Sequence, residues 1–306
     1  MLLANLRRVA RPLGVAASAA SAAAWYTHNT EASCDAPAKV GLDPNNWTAL
    51  TLSKITKVSH NTAIYRFAYD DPMATSGMTV ASCLLTKAAI GSEKSDGSRA
   101  NVMRPYTPIS RPAVAGYLEL AVKTYPDGKM SKHMASLKVG DKLDFKGPIV
   151  KLPYKPNEFK EIGMVAGGTG IAPMLQVIDE VLANPTDKTK VSLVFANQTE
   201  SDILMKKEID ARAAQHPDKL SVYYVVDKST AWFSKWTGGE GYITEAMLKE
   251  HIPAPSADSM VYVCGPPPMY KAICGGKGTK EDPKAQGELG GVLKGMGYAP
   301  SSVFKF

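Results

Sequence analysis

From Trp47 onward, apolar and polar residues recur with one period in the first part of the chain and another in the second. "WTALTLSKITKV", "TAIYRFAY", "TVASCLLTK" and "GYLELAVKTY" alternate residue by residue and are rich in Thr, Val, Ile and Tyr. A period of two sends successive side chains to opposite faces of a strand, so each stretch predicts a β-strand. The turn-rich segments "YDDPMATSG" and "YPDGK" separate them. Successive strands without helices between them predict a small antiparallel barrel over residues 46–150. One short helix is expected near Ser131–Leu137.

The Pro- and Lys-rich stretch 151–160 reads as a linker. Beyond it the pattern changes. "EIGMVA", "KVSLVFAN", "KLSVYYVVD" and "MVYVCG" are compact apolar runs that predict buried strands. Between them, "PMLQVIDEVLAN" places Met174, Leu175, Ile178 and Leu182 at helical spacing. "SDILMKKEIDARAAQH" and "TEAMLKEH" also read as helices. Strand and helix in alternation predict a doubly wound parallel sheet over residues 161–306. The fold class is therefore β followed by α/β.

Composition fits that picture. The 306 residues are 44% hydrophobic and 21% charged, enough for a core and for about two domains. The net charge of +7 comes from 36 basic against 29 acidic side chains spread along the chain. No Lys/Arg tract interleaves with aromatics, which argues against nucleic acid as a partner. A mild positive field suits an acidic small molecule or an acidic protein. Cys34, Cys83, Cys264 and Cys274 form no CxxC and have no metal-ligand spacing, so no metal site is expected.

The first residues stand apart. No Asp or Glu precedes Glu31, while Arg7, Arg8 and Arg11 cluster ahead of "LGVAASAASAAAWY". An acid-poor, Arg- and Ser-rich leader over residues 1–32 is what a mitochondrial targeting segment requires. Its apolar part is shorter than the ~20 residues needed to span a bilayer, which leaves a weak membrane anchor open. A secretory signal is the competing reading. Residues 33–45 read as a linker.

Candidate chemistry lies in a few short stretches. "GMVAGGTGIAP" joins an apolar strand to a helix through Gly167, Gly168, Thr169 and Gly170. Such a turn brings backbone amides close to a pyrophosphate. Pro173 suits the first helical turn, but stands where the usual dinucleotide fingerprint has a small third residue. "VYVCGPPPMYKA" ends a strand at Cys264, and ligands of open α/β sheets bind beyond such ends.

In "NVMRPYTPIS", Pro105 and Pro108 exclude a central strand, while Arg104, Tyr106, Thr107 and Ser110 offer a guanidinium fork, a planar ring and hydroxyls. "KTYPDGKMSKHM" places Gly128, Lys129 and Ser131 at a helix start, a second anion site. Singly, these stretches read equally as a Gly-rich turn, an inert strand-end thiol, an edge strand and a capped turn. Jointly, two anion cradles in two domains imply two phosphate-bearing ligands that face one another.

"RPYTPIS", "GKMS", "GGTGIAPML", "FANQTESDIL" and "CGPPPM", in this order, resemble the signatures of the ferredoxin–NADP reductase superfamily, and within it the NADH–cytochrome b5 reductases of mitochondrial fungal type. The resemblance implies FAD on the barrel and NADH on the parallel sheet. It implies that Arg104 pairs with the FAD pyrophosphate, that Pro105 and Tyr106 lie along the flavin, and that Thr107 bonds near N5. Ser110, Lys123 and Tyr125 align with cofactor contacts, and Gly128, Lys129, Met130 and Ser131 with the pyrophosphate helix. Gly167, Gly168, Thr169, Gly170 and Pro173 would admit the nicotinamide cofactor. Cys264, Gly265, Pro266 and Met269 would line the nicotinamide side.

Asp227 would accept a bond from the adenosine ribose and favour NADH over NADPH; a turn aspartate is the plain alternative. His60 would relay a proton towards the flavin through Thr107, or serve only structurally. Phe306 is a candidate aromatic near the flavin, or a residue tucked into the sheet. Ala172 departs from the Thr of many relatives, which removes one flavin hydrogen bond of roughly 0.5–1.5 kcal/mol. The basic stretch Gly275–Lys284 reads as a surface loop.

The implied reaction takes a hydride from NADH and passes single electrons to a haem protein, cytochrome b5. A quinone acceptor, or a nucleotide-sensing module without catalysis, are the rival readings. The implied location is the mitochondrion, at the outer membrane or in the intermembrane space, with the N-terminal segment as a membrane tether.

Overall fold

A computed structural model of the chain describes residues 39–229, 236–278, 282 and 285–306. The targeting leader, the membrane tether and most of the 33–45 linker fall outside these residues, as does part of the 275–284 loop.

The first sheet contains β1 (Thr48–Lys57), β2 (Thr62–Ala68), β3 (Ser82–Glu93), β4 (Arg99–Tyr106), β5 (Tyr117–Lys123) and β6 (Lys142–Val150). Its order is β4-β3-β6-β1-β2-β5 and every pairing is antiparallel. The alternation seen in the sequence is met by burial. Leu50 and Leu52 of β1, Phe67 of β2, Leu118 and Leu120 of β5 and Phe145 of β6 point into one core. Phe67 and Phe145 meet edge to face at 4.8 Å. Helix α1 (Lys129–Ser136) starts and stops slightly earlier than expected, and buries Met130 and Met134 in the same core.

β4 is an edge strand, as Pro105 within it requires. The chain beyond it makes the sheet barrel-like. Ile109 N–H donates to the Glu119 carbonyl at 2.9 Å, and Glu119 N–H donates to Ser110 Oγ at 3.0 Å. These bonds bring the extension of β4 against β5, the opposite edge.

The second sheet contains β7 (Glu161–Gly167), β8 (Lys190–Asn197), β9 (Leu220–Val226), β10 (Gly239–Glu240), β11 (Ser259–Cys264) and β12 (Val303–Lys305), in the order β10-β9-β8-β7-β11-β12, all parallel. The order reverses direction between β7 and β11, which opens a crevice at their carboxyl ends. Helices α2 (Ile171–Ala183), α3 (Lys206–Gln215), α4 (Glu245–His251), α5 (Pro267–Ile273) and α6 (Gly291–Gly295) complete the described residues. β7 is buried almost throughout, as a strand covered on both faces must be.

The helix expected over "SDILMKKEIDARAAQH" is shorter in the structure. Only a 3-10 turn forms at Glu200–Asp202, and the α-helix begins at Lys206. Ile203 and Leu204 are buried in the core, and Met205 takes a left-handed φ of 54°. Burial of these side chains overrides helical propensity across the turn.

The two sheets share an apolar cluster. Ala81, Ile109 and Ala121 of the first pack with Ile171, Ala172 and Leu175 of α2.

Candidate active site

The flavin segment is built from the register of β3 and β4, which places Thr86 opposite Arg104 and Leu84 opposite Tyr106. Thr86 Oγ1 donates to the Arg104 carbonyl at 3.0 Å, fixing the strand while the guanidinium stays exposed. Burial pushes the Tyr106 phenol up to about 12; Tyr125 and Tyr65 add to the shift and Arg104 opposes it. The four side chains therefore share one neighbourhood. Next to it, an open groove of about 700 Å³ is lined by Tyr65, Tyr125, His60 and Lys57. That volume is in the range of cofactor pockets. The Thr107 hydroxyl has no hydrogen bond among the described residues, whereas Ser110 Oγ is committed to the Glu119 amide. Ser110 thus closes the barrel.

Helix α1 packs against β3, β4 and β5. Its N-cap, Gly128, supplies no side-chain cap. A Cβ at Gly128 would stand 2.2 Å from Ser131 Oγ. Buried Ser131 uses that hydroxyl internally, donating to the Gly128 carbonyl at 3.2 Å and accepting from Tyr125 N–H at 3.3 Å. The amides of Lys129, Met130 and Ser131 are left without acceptors in the first turn, at the positive end of the helix. With Arg104 on the strand below, this set of donors fits the pyrophosphate of FAD.

The second cradle joins two motifs far apart in sequence. A Cβ on Gly170 would lie 2.1 Å from the Cys264 carbonyl oxygen. One on Gly167 would lie 2.7 Å from Met269 Sδ and 3.0 Å from Pro266 Cδ, and one on Gly265 2.4 Å from Met269 Cε. The β7–α2 turn and the β11–α5 turn are seated on each other, and only glycine allows the approach. Gly168 differs: its φ is +53° and its Cβ position is open. Thr169 is half-buried and Pro173 is buried in the first turn of α2. The run Pro266, Pro267 and Pro268 starts α5, with proline at its first positions.

Cys264 is half-buried. Burial pushes its thiol up to about 11, against smaller opposing effects of Tyr270 and Lys277. It is a neutral thiol near pH 7, suited to lining a pocket and not to nucleophilic attack. Ala172 is buried beside barrel residues in the shared apolar cluster, where a methyl group needs no partner.

Other expected residues meet across the seam between the sheets. Lys123 Nζ donates to Gln198 Oε1 at 3.1 Å. His60 Nδ1 lies 3.7 Å from Asp202 Oδ1, and no hydrogen bond joins His60 to Thr107 among the described residues. Asp202 Oδ2 accepts from Thr199 Oγ1 at 2.8 Å, while buried Oδ1 has no hydrogen-bond partner. Asp227 directly follows β9, with its N–H on the Asn197 carbonyl at 3.0 Å and its carboxylate exposed. Phe306 donates its N–H to Val263 O at 3.0 Å and packs edge-on against Tyr262 at 5.7 Å. These contacts fasten the chain end to the sheet edge beside β11.

Sequence reasoning missed Gln176. It is buried on α2, donates from Nε2 to the Pro108 carbonyl at 3.3 Å, and accepts from Ser82 N–H at 3.2 Å. A glutamine on an apolar helical face was the available signal.

Residues 49–154 match the family described as Oxidoreductase FAD-binding domain, and residues 164–275 the Oxidoreductase NAD-binding domain. The NADH-cytochrome b5 reductase-like protein of Arabidopsis thaliana is 48% identical over 268 residues, 88% of this chain and 79% of that protein. The NADH-cytochrome b5 reductase 2 of Yarrowia lipolytica is 46% identical over 289 residues, 94% of this chain and 95% of that protein. Among solved structures, the cytochrome b5 reductase domain of Ulva prolifera nitrate reductase superposes with a TM-score of 0.73 at 32% identity, covering 89% of this chain and all of that one (100%).

Proposed function

The chain belongs to the NADH–cytochrome b5 reductases and is an FAD- and NADH-binding oxidoreductase; on that premise we propose that its two cradles bring NADH to FAD for electron delivery to cytochrome b5. The observation that carries this reading is the fit of Gly170 beneath the Cys264 carbonyl. It joins the nucleotide turn and the strand end lining the nicotinamide side into one surface, which the seam contacts hold against the barrel.

Bound FAD supplies the chemistry, accepting a hydride and releasing electrons singly. The protein supplies position. Arg104 and the first amides of α1 neutralise the pyrophosphate. Tyr106 and Tyr125 flank the planar ring, and Thr107 offers its unengaged hydroxyl to a ring heteroatom. Gly167 and Gly168 let the dinucleotide approach the backbone. Asp227 accepts from a ribose hydroxyl and repels a phosphate in its place. Neutral Cys264 lines the nicotinamide pocket without competing for the hydride. The domain assignment follows: residues 46–150 for FAD, 161–306 for NADH.

An acidic haem protein would be drawn by the net positive charge into a weak, salt-sensitive complex. Anaerobic titration with NADH, then mixing with cytochrome b5 or a quinone, tests the reading. A protein that stays colourless after incubation with FAD overturns it. Faster turnover with quinones than with cytochrome b5 overturns the acceptor.

The acid-free, Arg-rich leader supports delivery to the mitochondrion, at the outer membrane or in the intermembrane space. No helix among the described residues is long and apolar enough to cross a membrane, so a tether would have to come from the leader. Fractionation of cells expressing the chain with and without residues 1–38 tests both points.

A further inference from the structure

The carboxyl ends of four parallel strands form a corner that carries two carboxylates neither cradle uses. Strand register sets this corner. Gly167 of the nucleotide turn pairs with Ala196, and Ala196 with Val225. One residue further on, Asn197 pairs with Val226, and Val226 with Glu240. β7, β8, β9 and β10 therefore end side by side, about 5 Å apart from strand to strand. Asp227 N–H donates to the Asn197 carbonyl at 3.0 Å, and Gly241 N–H to the Val226 carbonyl at 2.9 Å. These bonds hold the loops after β8, β9 and β10 together.

Ser229 ties two acids to the loop that carries Asp227. Its N–H donates to Glu240 Oε1 at 2.8 Å, and its Oγ to Glu200 Oε1 at 2.7 Å. Glu240 ends β10, and Glu200 opens the 3-10 turn after β8. Two residues of chain span at most about 7 Å, so Ser229 and the carboxylates bonded to it stand beside Asp227. Among the described residues neither Glu200 nor Glu240 has an ion-pair partner. Lys206, at the start of α3, is engaged by Asp210 at 2.6 Å and lies over the Tyr224 ring at 4.4 Å. Lys228 is the basic residue between Asp227 and Ser229. In a chain of net charge +7, this corner sets Asp227, Glu200 and Glu240 against that lysine.

We propose, resting on the NADH reading above that puts the adenosine ribose at Asp227, that Glu200 and Glu240 are specificity-determining residues. They add to the discrimination against a 2′-phosphorylated nucleotide that Asp227 supplies. Each has a carboxylate oxygen committed to Ser229, so they act through their field at the 2′ position. A ribose 2′-hydroxyl is neutral and meets that field at little cost. A 2′-phosphate carries nearly two negative charges at pH 7. It would be repelled by both glutamates as well as by Asp227. Glu200 is half-buried, so its charge is screened less than that of exposed Glu240. The hydrogen bonds from Ser229 keep both charges from swinging away into solvent.

The test is the Kd of NADP+ and of NAD+ for the FAD-loaded full chain, by titration calorimetry. Glutamine in place of glutamate keeps an acceptor oxygen for Ser229 and removes only the charge. Glu240→Gln is expected to tighten NADP+ about threefold, and the double variant with Glu200→Gln about tenfold. NAD+ affinity is expected to stay within about twofold of the native value. The NADP+ difference between native chain and double variant should shrink at about 0.5 M salt, which a change in loop packing would not cause. Unchanged NADP+ affinity in the double variant overturns the inference, as does a gain that salt leaves intact. If the double variant fails to fold, Glu240→Gln carries the test, and unchanged NADP+ affinity there overturns it. Asp227→Ser separates the two readings. If it tightens NADP+ and the glutamate variants do not, this inference alone falls. If none of the variants shifts the preference, the ribose does not lie at Asp227 and that reading falls too.

Discussion

The side-chain amide of Gln176, on the helix that follows the nucleotide turn, hydrogen-bonds the carbonyl of Pro108, in the segment expected to carry flavin. Its other end takes the amide of Ser82, at the start of β3. One buried glutamine therefore fixes the nucleotide domain against the barrel at the point where the two cofactors must align. Gln176→Ala leaves a buried donor and a buried acceptor unpaired, a loss of about 1–3 kcal/mol each when fully desolvated. The expected outcome is lower stability to denaturant, with hydride transfer slowed more than NADH binding. Urea unfolding and single-turnover kinetics measure the two effects. Native-like values for both would remove Gln176 from the alignment role.

Arg104 is exposed, its backbone held by Thr86; its guanidinium donates from Nη1 to the Met103 carbonyl at 2.8 Å and keeps its other N–H groups for an anion. Charge-assisted hydrogen bonds contribute about 1.5–3 kcal/mol. Arg104→Ala is expected to weaken FAD binding roughly ten- to hundredfold, with little change in the stability of the apoprotein because no buried contact is lost. Recovery of flavin fluorescence on dilution gives the affinity. Loss of apoprotein stability in place of FAD affinity would assign Arg104 to structure.

The glycines of the nucleotide turn separate cleanly in the geometry. A Cβ on Gly170 meets the backbone of Cys264 at 2.1 Å, and a carbonyl fixed in a sheet cannot step aside. A Cβ on Gly168 meets nothing, so alanine there suffers only the left-handed conformation, about 1–2 kcal/mol. Gly170→Ala is expected to destabilise by about 1–3 kcal/mol or more through overpacking, and to weaken NADH binding by displacing the turn. Gly168→Ala is expected to keep the fold. Calorimetry of both variants with NADH titration tests the ranking. A milder effect at Gly170 than at Gly168 would contradict it.

Much of this arrangement was readable from local pattern. Strands such as Thr62–Ala68 and Glu161–Gly167 followed from a period of two or from a short apolar run between turn residues. Other features depend on contacts between distant residues. Ser110 closes the barrel because Glu119 happens to stand opposite, which no local spacing announces. The helix over 201–216 shortened because Ile203 and Leu204 found the core. Helix α5 hid behind three prolines that read as a turn, although proline at the first helical positions is itself a start signal. His60, read either as a relay towards Thr107 or as a structural histidine, faces Asp202 across the seam, a pairing no local spacing announces.

Asp227, directly after β9, has an exposed carboxylate that makes no hydrogen bond or ion pair among the described residues. A free carboxylate at that strand end accepts from a ribose 2′-hydroxyl. Against a 2′-phosphate it places like charges together, which costs several kcal/mol when desolvated. Asp227→Ser is expected to raise kcat/KM for NADPH by about tenfold or more while lowering that for NADH. Steady-state rates with both nucleotides decide it. An unchanged preference would place the discrimination elsewhere.

The Cys264 thiol is held near 11 by burial, so its reactivity should carry a distinctive pH signature. Only the thiolate attacks an alkylating reagent. Below the pKa, the thiolate fraction rises about tenfold with each pH unit. An ordinary cysteine, near 8.5, levels off above about pH 9. Cys264 should react slowly at pH 8 and continue to gain about a factor of ten per unit through pH 10. Lys277 lowers this pKa, so Lys277→Met should slow the reaction further at each pH. Iodoacetamide labelling, read by mass spectrometry on the peptide containing Cys264, follows the rate. A plateau before pH 9 would mean that the thiol is exposed and ordinary, and that it does not form the dry wall of the nicotinamide pocket.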